Sequence, residues 1–326
     1  MLDLEKMTEY TSPIQGDLDL FKQRLNDHLQ GDSPLISSIA KHLLKSRGKR
    51  IRPVFLFLSS RAGDNFTDFS VDASLSIELI HTATLLHDDV VDESEMRRGQ
   101  ETVNSQWTNL ISVLMGDYLF AKAFRIMVEA NSIELMRSIS RATERVAVGE
   151  LRQIEETANY ELSEEEYLTI IADKTASLFA VSCEAGPILN NRSEKDRNRF
   201  ADFGEKIGIA FQIADDLLDY VGDAETTGKE PGIDVLTGQM TLPLIHSLQK
   251  STTPSRNEII KLLKTKNENS FQKVYDFVLE NGGIDYAYKK ANTLAQEGLD
   301  AISSGSHNIY YERLEDMVRF TTARAS

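Results

Sequence analysis

The chain has one cysteine, few prolines and glycines and no long apolar run, and each of these scarcities excludes a class of protein. Cys183 has no second cysteine to pair with, so an intrachain disulfide is excluded and a reducing compartment, the cytoplasm, is expected. Seven prolines and 18 glycines among 326 residues favour long helices over a turn-rich β architecture. No stretch approaches the about 18 apolar residues of a membrane span, and the first residues lack the pattern of a signal peptide.

Positive charge is also scarce. The 36 Lys and Arg residues are outnumbered by 51 Asp and Glu residues, which gives a net charge of −15. Such a surface repels nucleic-acid phosphates over most of its area, so no nucleic-acid partner is expected. An anionic ligand would need a local basic pocket, and this makes each cluster of Lys and Arg informative.

Apolar residues recur at helical spacing along almost the whole chain, and no alternating strand pattern of useful length is present. No linker divides the chain, so one all-α domain, a single large helical bundle over residues 1–326, is predicted. One long loop of 17 residues is predicted at Gly222–Gly238. The predicted helices are Ser33–Leu44, Ile51–Ala62, Val71–Asp92, Asn109–Ala130, Ser132–Ala158, Ser163–Leu189 and Glu194–Tyr220, followed by shorter helices from Asn257 onward.

Two copies of the pattern Asp-Asp-x-x-Asp follow strongly apolar segments. Positions i and i+4 share a helix face, where carboxylates repel each other unless a cation lies between them. Hard oxygen ligands suit Mg²⁺, which commonly takes phosphate oxygens as further ligands. One such motif alone is as readily a solvated acidic helix end, but its repetition favours a metal site at the mouth of an apolar cavity. The two motifs comprise Asp88, Asp89 and Asp92, and Asp215, Asp216 and Asp219.

Basic residues lie near the first of these motifs. Lys49 and Arg52 are three residues apart at a predicted helix start, and Arg97 and Arg98 follow the first motif closely. Salt bridges to the aspartates are the simpler explanation, but together the acidic and basic groups describe a clamp for a diphosphate. His81 is seven residues before the motif on the same helix face, and this alignment favours the clamp over an ordinary core histidine.

These motifs resemble the trans-isoprenyl diphosphate synthases, also called polyprenyl synthetases. The matching segments are GKRIRP from Gly48, IELIHTATLLHDDVVDESEMRRG from Ile77, GELRQ from Gly149, KTASLF from Lys174, AFQIADDLLDY from Ala210 and TLPL from Thr241. The chain resembles the long-chain type, the octaprenyl and heptaprenyl diphosphate synthases. This resemblance implies an isoprenoid-synthase bundle around a deep apolar cavity, a homodimer, and at most peripheral membrane contact for product release.

The resemblance also implies a role for each matching residue. Metal ligands would be Asp88, Asp92 and Asp215, supported by Asp89, Asp216 and Asp219. The allylic diphosphate would be bound by Arg97, Lys174, Gln212 and Lys229, and isopentenyl diphosphate by Lys49, Arg52, His81 and Arg98. The catalytic residues around the reacting centre would be Lys174, Thr175, Phe211 and Gln212.

The implied reaction condenses isopentenyl diphosphate with an allylic diphosphate. Mg²⁺ is the implied cofactor, with about three ions expected beside the diphosphate. Charge stabilisation of the leaving diphosphate lets its C–O bond break toward an allylic cation, which the double bond of isopentenyl diphosphate attacks. A proton then passes to the departing diphosphate. The sequence carries no Ser-His-Asp or Cys-His signature, which agrees with a reaction that needs no protein nucleophile.

Product length is predicted from the residues before the first motif. Ala83 and Thr84 precede Asp88 by five and four residues, about one helical turn. Phe or Tyr there would stop a growing chain after a few isoprene units, whereas small side chains leave the cavity open. A product of about C30–C50 is therefore predicted, with about C35–C40 favoured, as the side chain of a quinone. A bulky residue on a neighbouring helix would instead give a short-chain synthase of about C15–C20.

One position departs from the family pattern. Gln239 stands shortly before Thr241, where the family usually has a Lys, so weaker primer binding is expected rather than inactivity. A terpene cyclase is a second interpretation, but it would not need the residues for a second diphosphate. A non-catalytic subunit of a heteromeric synthase is a third, but such subunits lose aspartates that this chain retains.

Overall fold

The computed structural model describes residues 4–30, 33–45, 48–63, 67–97, 99–221, 232, 235, 237–265, 270–303 and 308–322, and most of them are helical. A 3₁₀ turn, Ser12–Ile14, and a π turn, Ala172–Ala176, join consecutive helices, and the strands β1 (Met96–Arg97) and β2 (Gln100–Glu101) form a short hairpin. The α-helices are α1 (Leu4–Thr11), α2 (Gln15–Leu29), α3 (Pro34–Lys45), α4 (Ile51–Arg61), α5 (Phe69–Val91), α6 (Val103–Gln106), α7 (Asn109–Glu129), α8 (Ile133–Glu155), α9 (Glu164–Ile171), α10 (Ser177–Leu189), α11 (Glu194–Val221), α12 (Leu242–Lys250), α13 (Thr253–Thr265), α14 (Ser270–Glu280), α15 (Gly283–Ile302) and α16 (Ile309–Thr322).

The predicted all-α class is confirmed, and most predicted helices begin and end within three residues of the observed ones. Local capping explains this accuracy. The hydroxyl of Ser33 accepts a hydrogen bond from the N–H of Ile36 at 3.2 Å. The hydroxyl of Ser163 accepts one from the N–H of Glu166 at 3.2 Å, and the Glu166 carboxylate accepts one from the Ser163 N–H at 2.9 Å. These three hydrogen bonds satisfy N–H groups that a helix start leaves unpaired.

The helix predicted over Ser163–Leu189 is confirmed in its limits, but the π turn inside it was not predicted. The π turn Ala172–Ala176 divides it into α9 and α10, because contacts with distant helices stabilise a turn that the local sequence does not signal. Two helices, α1 and α2, also precede the first predicted one. The predicted loop Gly222–Gly238 lies largely outside the described residues.

Helix α10 lies at the centre of the bundle, where nearly all of its residues are buried. Its neighbours approach to backbone contact. A Cβ atom on Gly186 would lie 2.5 Å from the backbone nitrogen of Ser60 in α4. One on Gly204 in α11 would lie 2.5 Å from the carbonyl oxygen of Phe179. Glycine at these positions therefore lets α4 and α11 pack directly against α10.

One hydrophobic core extends from Ile14 near the amino terminus to Phe320 in the last helix. Helix α2 is joined to α4 by Asp17, whose buried carboxylate accepts hydrogen bonds from the Arg61 guanidinium at 2.9 and 2.7 Å. The amino-terminal helices therefore belong to the same packed body as the central ones. None of the helices in the described part of the chain is long and apolar enough to cross a bilayer.

Helices α5 and α7 pack side by side along much of their length. The hydroxyl of Ser112 donates to the carbonyl of Leu86 at 3.0 Å. A Cβ atom on Gly116 would lie 2.3 Å from Nε2 of His87, so glycine makes room for this ring. The close packing positions the carboxyl end of α5, which carries the first aspartate motif.

Candidate active site

The first aspartate motif ends helix α5. The N–H of Asp92 donates to the carbonyl of Asp88 at 2.8 Å and so continues the helical pattern to the last residue of the motif. Arg97, in the hairpin that follows, donates from Nε to Oδ1 of Asp89 at 2.7 Å. Asp89 is 3% exposed, whereas Asp88 is half-buried and Asp92 is exposed. Asp89 therefore orients Arg97, while the other two carboxylates keep open surface.

The carboxyl group of Asp88 lies among charged side chains from other elements. Burial raises the pKa of Asp88 to about 7; Glu150 and Asp92 add to this rise, and Lys174 and Arg97 oppose it. Nζ of Lys174 donates to the Glu150 carboxylate at 2.9 Å. The end of α5, the carboxyl-terminal part of α8 and the π turn thus meet at one charged cluster.

The second motif lies near the end of helix α11. Asp215 is exposed, Asp219 is half-buried and Asp216 is buried. Both oxygens of Asp216 accept hydrogen bonds, from the Tyr167 hydroxyl at 2.6 Å and from Nε2 of Gln212 at 2.7 Å. Burial raises the pKa of Asp216 to about 7, with help from Asp215 and Asp219, and the two hydrogen bonds oppose this rise.

The π turn connects the surroundings of the two motifs. Lys174 reaches toward the first motif, as its contact with Glu150 shows. The hydroxyl of the next residue, Thr175, donates to Oε1 of Gln212 at 2.8 Å, and the amide of Gln212 donates to Asp216. Two consecutive residues therefore serve opposite halves of the site.

Phe211 lies beside this network on α11. Its ring centroid is 5.2 Å from that of Phe179 in α10. The guanidinium of Arg52 lies over the other ring of this pair, 4.8 Å from the Phe179 centroid. A stack of three side chains thus joins the start of α4 to the predicted reacting centre, and such contacts orient a guanidinium without using all of its donors.

Of the residues predicted to bind isopentenyl diphosphate, those that the structure describes lie at the start of α4 and in α5. Arg50, in a left-handed backbone conformation at φ 50°, pairs with the buried carboxylate of Glu78 in α5. This pair holds the start of α4 against α5, one turn before the predicted histidine. The predicted residues that the structure describes are Lys49 ahead of α4, Arg52 in its first turn and His81 in α5, all half-buried.

Ala83 and Thr84 occupy different environments. Ala83 is 0% exposed and is one turn before His87, whose ring packs on α7, so it lies on the same helix face. Thr84 is half-buried, one turn before Asp88, and its hydroxyl donates to the carbonyl of His81 at 2.9 Å. An aromatic side chain at residue 83 would therefore enter the contact between α5 and α7.

Arg98 and Lys229, two predicted diphosphate contacts, lie outside the described residues. Gln239 is half-buried in the segment before α12. The hydroxyl of Thr241, which begins that helix, forms a 2.9 Å hydrogen bond with the hydroxyl of Tyr220 at the end of α11. The hydrogen bond of Thr241 in the TLPL segment therefore holds the start of α12 against the end of α11.

The donor set of the two motifs fits a metal that is shared with a diphosphate. Asp88, Asp92 and Asp215 keep accessible oxygens, while Asp89 and Asp216 are oriented by hydrogen bonds. Within the described ranges, no three His, Cys, Asp or Glu side chains converge closely enough to enclose an ion by themselves. Mg²⁺ suits this arrangement, because it usually keeps waters and takes phosphate oxygens beside one or two carboxylates.

Two contacts in this site were not predicted from the sequence. The first is the contact of Glu150 with Lys174. Glu150 lies within the GELRQ segment, which matches the family, but the sequence did not indicate a role for this residue. Tyr167 is 49 residues from Asp216 along the chain, and no local pattern marks their contact.

A helical bundle with two carboxylate motifs, and with the contacts of Lys174, Thr175 and Gln212 between their surroundings, is the arrangement expected of a prenyltransferase that acts on diphosphates. The chain belongs to the polyprenyl synthetase family, whose model matches residues 33–278. It is accordingly an enzyme, a transferase of prenyl groups.

Several relatives match nearly the whole chain. An all-trans-nonaprenyl-diphosphate synthase of Rhodobacter capsulatus, described as geranyl-diphosphate specific, is 35% identical over 96% of this chain and 96% of its own. The octaprenyl diphosphate synthase of Escherichia coli is 34% identical over 92% of this chain and 93% of its own. A crystal structure of a Caulobacter crescentus polyprenyl synthase with calcium and isoprenyl diphosphate superposes with a TM-score of 0.92, at 34% identity, over 99% of this chain and 98% of that one.

Proposed function

We propose that the protein is a Mg²⁺-dependent long-chain synthase that condenses isopentenyl diphosphate with an allylic diphosphate to an all-trans polyprenyl diphosphate of about C30–C50. The observation that carries this proposal is the continuous set of contacts between the two motifs. Lys174 contacts Glu150 beside Asp88, and Thr175 contacts Gln212, which donates to Asp216. One diphosphate between the motifs would thus meet cations and carboxylates together.

The chain's own residues would bind and orient the allylic substrate. Arg97 and Lys174 would neutralise its diphosphate, with Lys229 as a third cation and Gln212 as an amide donor. Charge that develops on the leaving group is stabilised when such groups are already in place before the C–O bond breaks. Phe211 would present its ring face to the allylic carbon as it becomes cationic.

Isopentenyl diphosphate would be held on the other side by Lys49, Arg52, His81 and Arg98. Its double bond forms the new C–C bond with the allylic carbon, and the resulting cation loses a proton to the departing diphosphate. No protein nucleophile takes part. Thr175, whose hydroxyl is directed to Gln212, would line the reacting centre.

The metal would be held by Asp88, Asp92 and Asp215, with Asp89, Asp216 and Asp219 in support. When bound, Mg²⁺ supplies further charge neutralisation for the leaving diphosphate, and about three ions are expected. The pKa values of about 7 for Asp88 and Asp216 support this assignment. Carboxyl groups that are hard to ionise by themselves become ionised when a cation is bound beside them.

A long product is supported by the small side chains at Ala83 and Thr84 and by the names of the relatives. Beyond those already named, relatives from Arabidopsis thaliana are called solanesyl diphosphate synthases. We propose that the polyprenyl group of this product becomes the side chain of a quinone.

Assembly as a homodimer is part of the proposal. Helices α7 and α8 each present large apolar side chains to solvent: Leu110 is 68% exposed, Leu114 57%, Leu151 63% and Ile154 53%. Consecutive helices with such residues favour burial against a second copy. A relative from Bacillus subtilis is named heptaprenyl diphosphate synthase component 2, and this name supports a heteromeric assembly as the second candidate.

We place the enzyme in the cytoplasm, because its one cysteine, Cys183, is free and buried, as expected in a reducing compartment. Membrane contact is proposed only for product release.

Product analysis tests the proposal. The purified protein would be incubated with Mg²⁺, isopentenyl diphosphate and, separately, C10, C15 and C20 allylic diphosphates, and the extracted products would be separated by chain length. A ladder that ends at a discrete long product is expected. An end point at about C15–C20 would contradict the length argument based on Ala83. Absence of elongation with every primer by folded protein would favour the partner-subunit interpretation.

A further inference from the structure

The π turn is the feature that brings two catalytic candidates into place. The N–H of Ser177 donates to the carbonyl of Ala172, five residues earlier, which is the hydrogen bond of a π-helix. The Ser177 hydroxyl also donates to the carbonyl of Asp173 at 2.6 Å. Such turns are rare and often lie at functional sites, because a regular α-helix would satisfy the backbone better. Something in the tertiary structure must therefore stabilise this one.

Glycines on both sides make room for the turn. A Cβ atom on Gly149 in α8 would lie 2.5 Å from the backbone nitrogen of Lys174. One on Gly208 in α11 would lie 2.5 Å from Cα of Ala176. The turn is therefore held between two helix backbones, but these contacts alone do not select a π turn over an α turn.

Asp173, in the π turn, is held by ion pairs with two arginines of α8. Nε of Arg145 donates to one carboxylate oxygen of Asp173 at 2.8 Å, and Arg152 donates to the other at 2.8 Å. The remaining nitrogens of Arg145 form a fork on Glu205 in α11, at 2.9 and 3.0 Å. Arg145 thus joins α8, the π turn and α11, and the side chain of Asp173 is only 15% exposed.

We propose that Arg145 is a positioning residue that acts through Asp173 to hold the π turn, and so sets the direction of Lys174 and Thr175. Lys174 contacts Glu150 near the first motif, whereas Thr175 contacts Gln212 near the second. Without the ion pair of Arg145 with Asp173, the turn relaxes toward regular helix, which rotates both side chains away from these partners. This inference rests on the proposed function, since it assigns the two side chains to the allylic diphosphate and the reacting centre.

Three variants test the inference: Arg145→Gln, Asp173→Asn and the double variant. Each single change is expected to raise the KM for the allylic primer about tenfold and to lower kcat, while the KM for isopentenyl diphosphate stays within about twofold. The double variant is expected to lose clearly less than the product of the two single losses, because both changes break the connection between Arg145 and Asp173. The matched control is Arg61→Gln, which removes a similar guanidinium fork on Asp17, in a pair that involves neither motif.

Binding supplies a readout that does not depend on turnover. With Mg²⁺ present, an unreactive thiolo analogue of a C15 allylic diphosphate is expected to bind the two single variants about tenfold more weakly than the wild type and the control. Should Arg145→Gln fail to fold, Asp173→Asn carries the same test. The inference is overturned if both KM values and the analogue's Kd are unchanged, or if the effects of the single changes multiply in the double variant. Failure of the proposed function is a separate result, namely a wild type that elongates no primer.

Discussion

Replacement of Glu150 by glutamine is expected to shift the acid limb of the pH–rate profile toward lower pH. Burial and the Glu150 charge raise the pKa of Asp88 to about 7, and the glutamine amide removes that charge while it keeps an oxygen for Lys174. A neighbouring charge typically moves a carboxyl pKa by about 1–3 units. Because Lys174 already neutralises part of the Glu150 charge, we expect the pKa of Asp88 to fall by about one unit.

The magnitude follows from the ionised fraction of Asp88. At pH 6 a group with a pKa of about 7 is about one-tenth ionised, and one with a pKa of about 6 is about half ionised. The ratio of kcat/KM for the allylic primer, Glu150→Gln over wild type, is therefore expected to be about fivefold higher at pH 6 than at pH 8. Use of a ratio removes the titration of the substrate and of Asp216, which both enzymes share.

The assay is initial-rate kinetics between about pH 5.5 and 9 with saturating isopentenyl diphosphate. Mg²⁺ is held well below saturation, so that the rate depends on the ionised fraction of Asp88 before the metal binds. Glu155→Gln is the matched control, because it removes the same charge from an exposed position of the same helix. Its ratio to wild type is expected to be independent of pH. A flat ratio for Glu150→Gln would refute the reasoning, since it would mean that Glu150 does not control the ionisation of Asp88 in the working enzyme.

Tyr167→Phe removes a hydroxyl that donates to the buried carboxylate of Asp216, and a hydrogen bond of this kind contributes about 1.5–3 kcal/mol. Calorimetry should therefore show Mg²⁺-dependent pyrophosphate binding weakened by about 10–100-fold. Unchanged affinity would show that this hydrogen bond does not support Asp216. Ala83→Phe, whose ring would enter the contact between α5 and α7, should shorten the product to about C15–C20 in the chromatographic assay. An unchanged length would disprove the argument that the small side chain at residue 83 permits a long product. Gln239→Lys should lower the KM for the primer by a few-fold, and no change would show that this position lies away from the diphosphate. Without metal, the melting temperature should fall as the pH rises from about 5 to about 7, because native Asp88 and Asp216, with pKa values of about 7, retain protons that the unfolded chain has lost. Addition of Mg²⁺ and pyrophosphate should restore the melting temperature. A melting temperature that rises with pH over this range would contradict the predicted sign.

Features set by neighbouring residues were predictable from the sequence. Helix starts such as Ser163 with Glu166 depend on contacts three residues apart, and the spacing in each aspartate motif is likewise local. The assignment of Lys174 and Thr175 to the site came from the family resemblance rather than from their own pattern.

Features that depend on distant contacts were not predictable. The interval Ser163–Leu189 has continuous helical character, and its π turn is stabilised by Arg145 and by glycines of two other helices. The support of Asp216 by Tyr167 joins α9 to α11 in the same way. Periodicity reports which face of a helix is buried, but it does not report which side chain lies opposite.

The backbone contacts around α10 also determine which parts of the protein open least. The hydrogen bonds of α10 and of the adjoining π turn become accessible to solvent only when α4, α8 and α11 separate, and this is nearly global unfolding. Lys174 and Thr175, which we propose to lie at the reacting centre, therefore belong to the slowest-opening unit of the protein. We therefore expect the primer to enter and the product to leave near the end of α5, where the hairpin that carries Arg97 follows, while the helices around α10 stay packed.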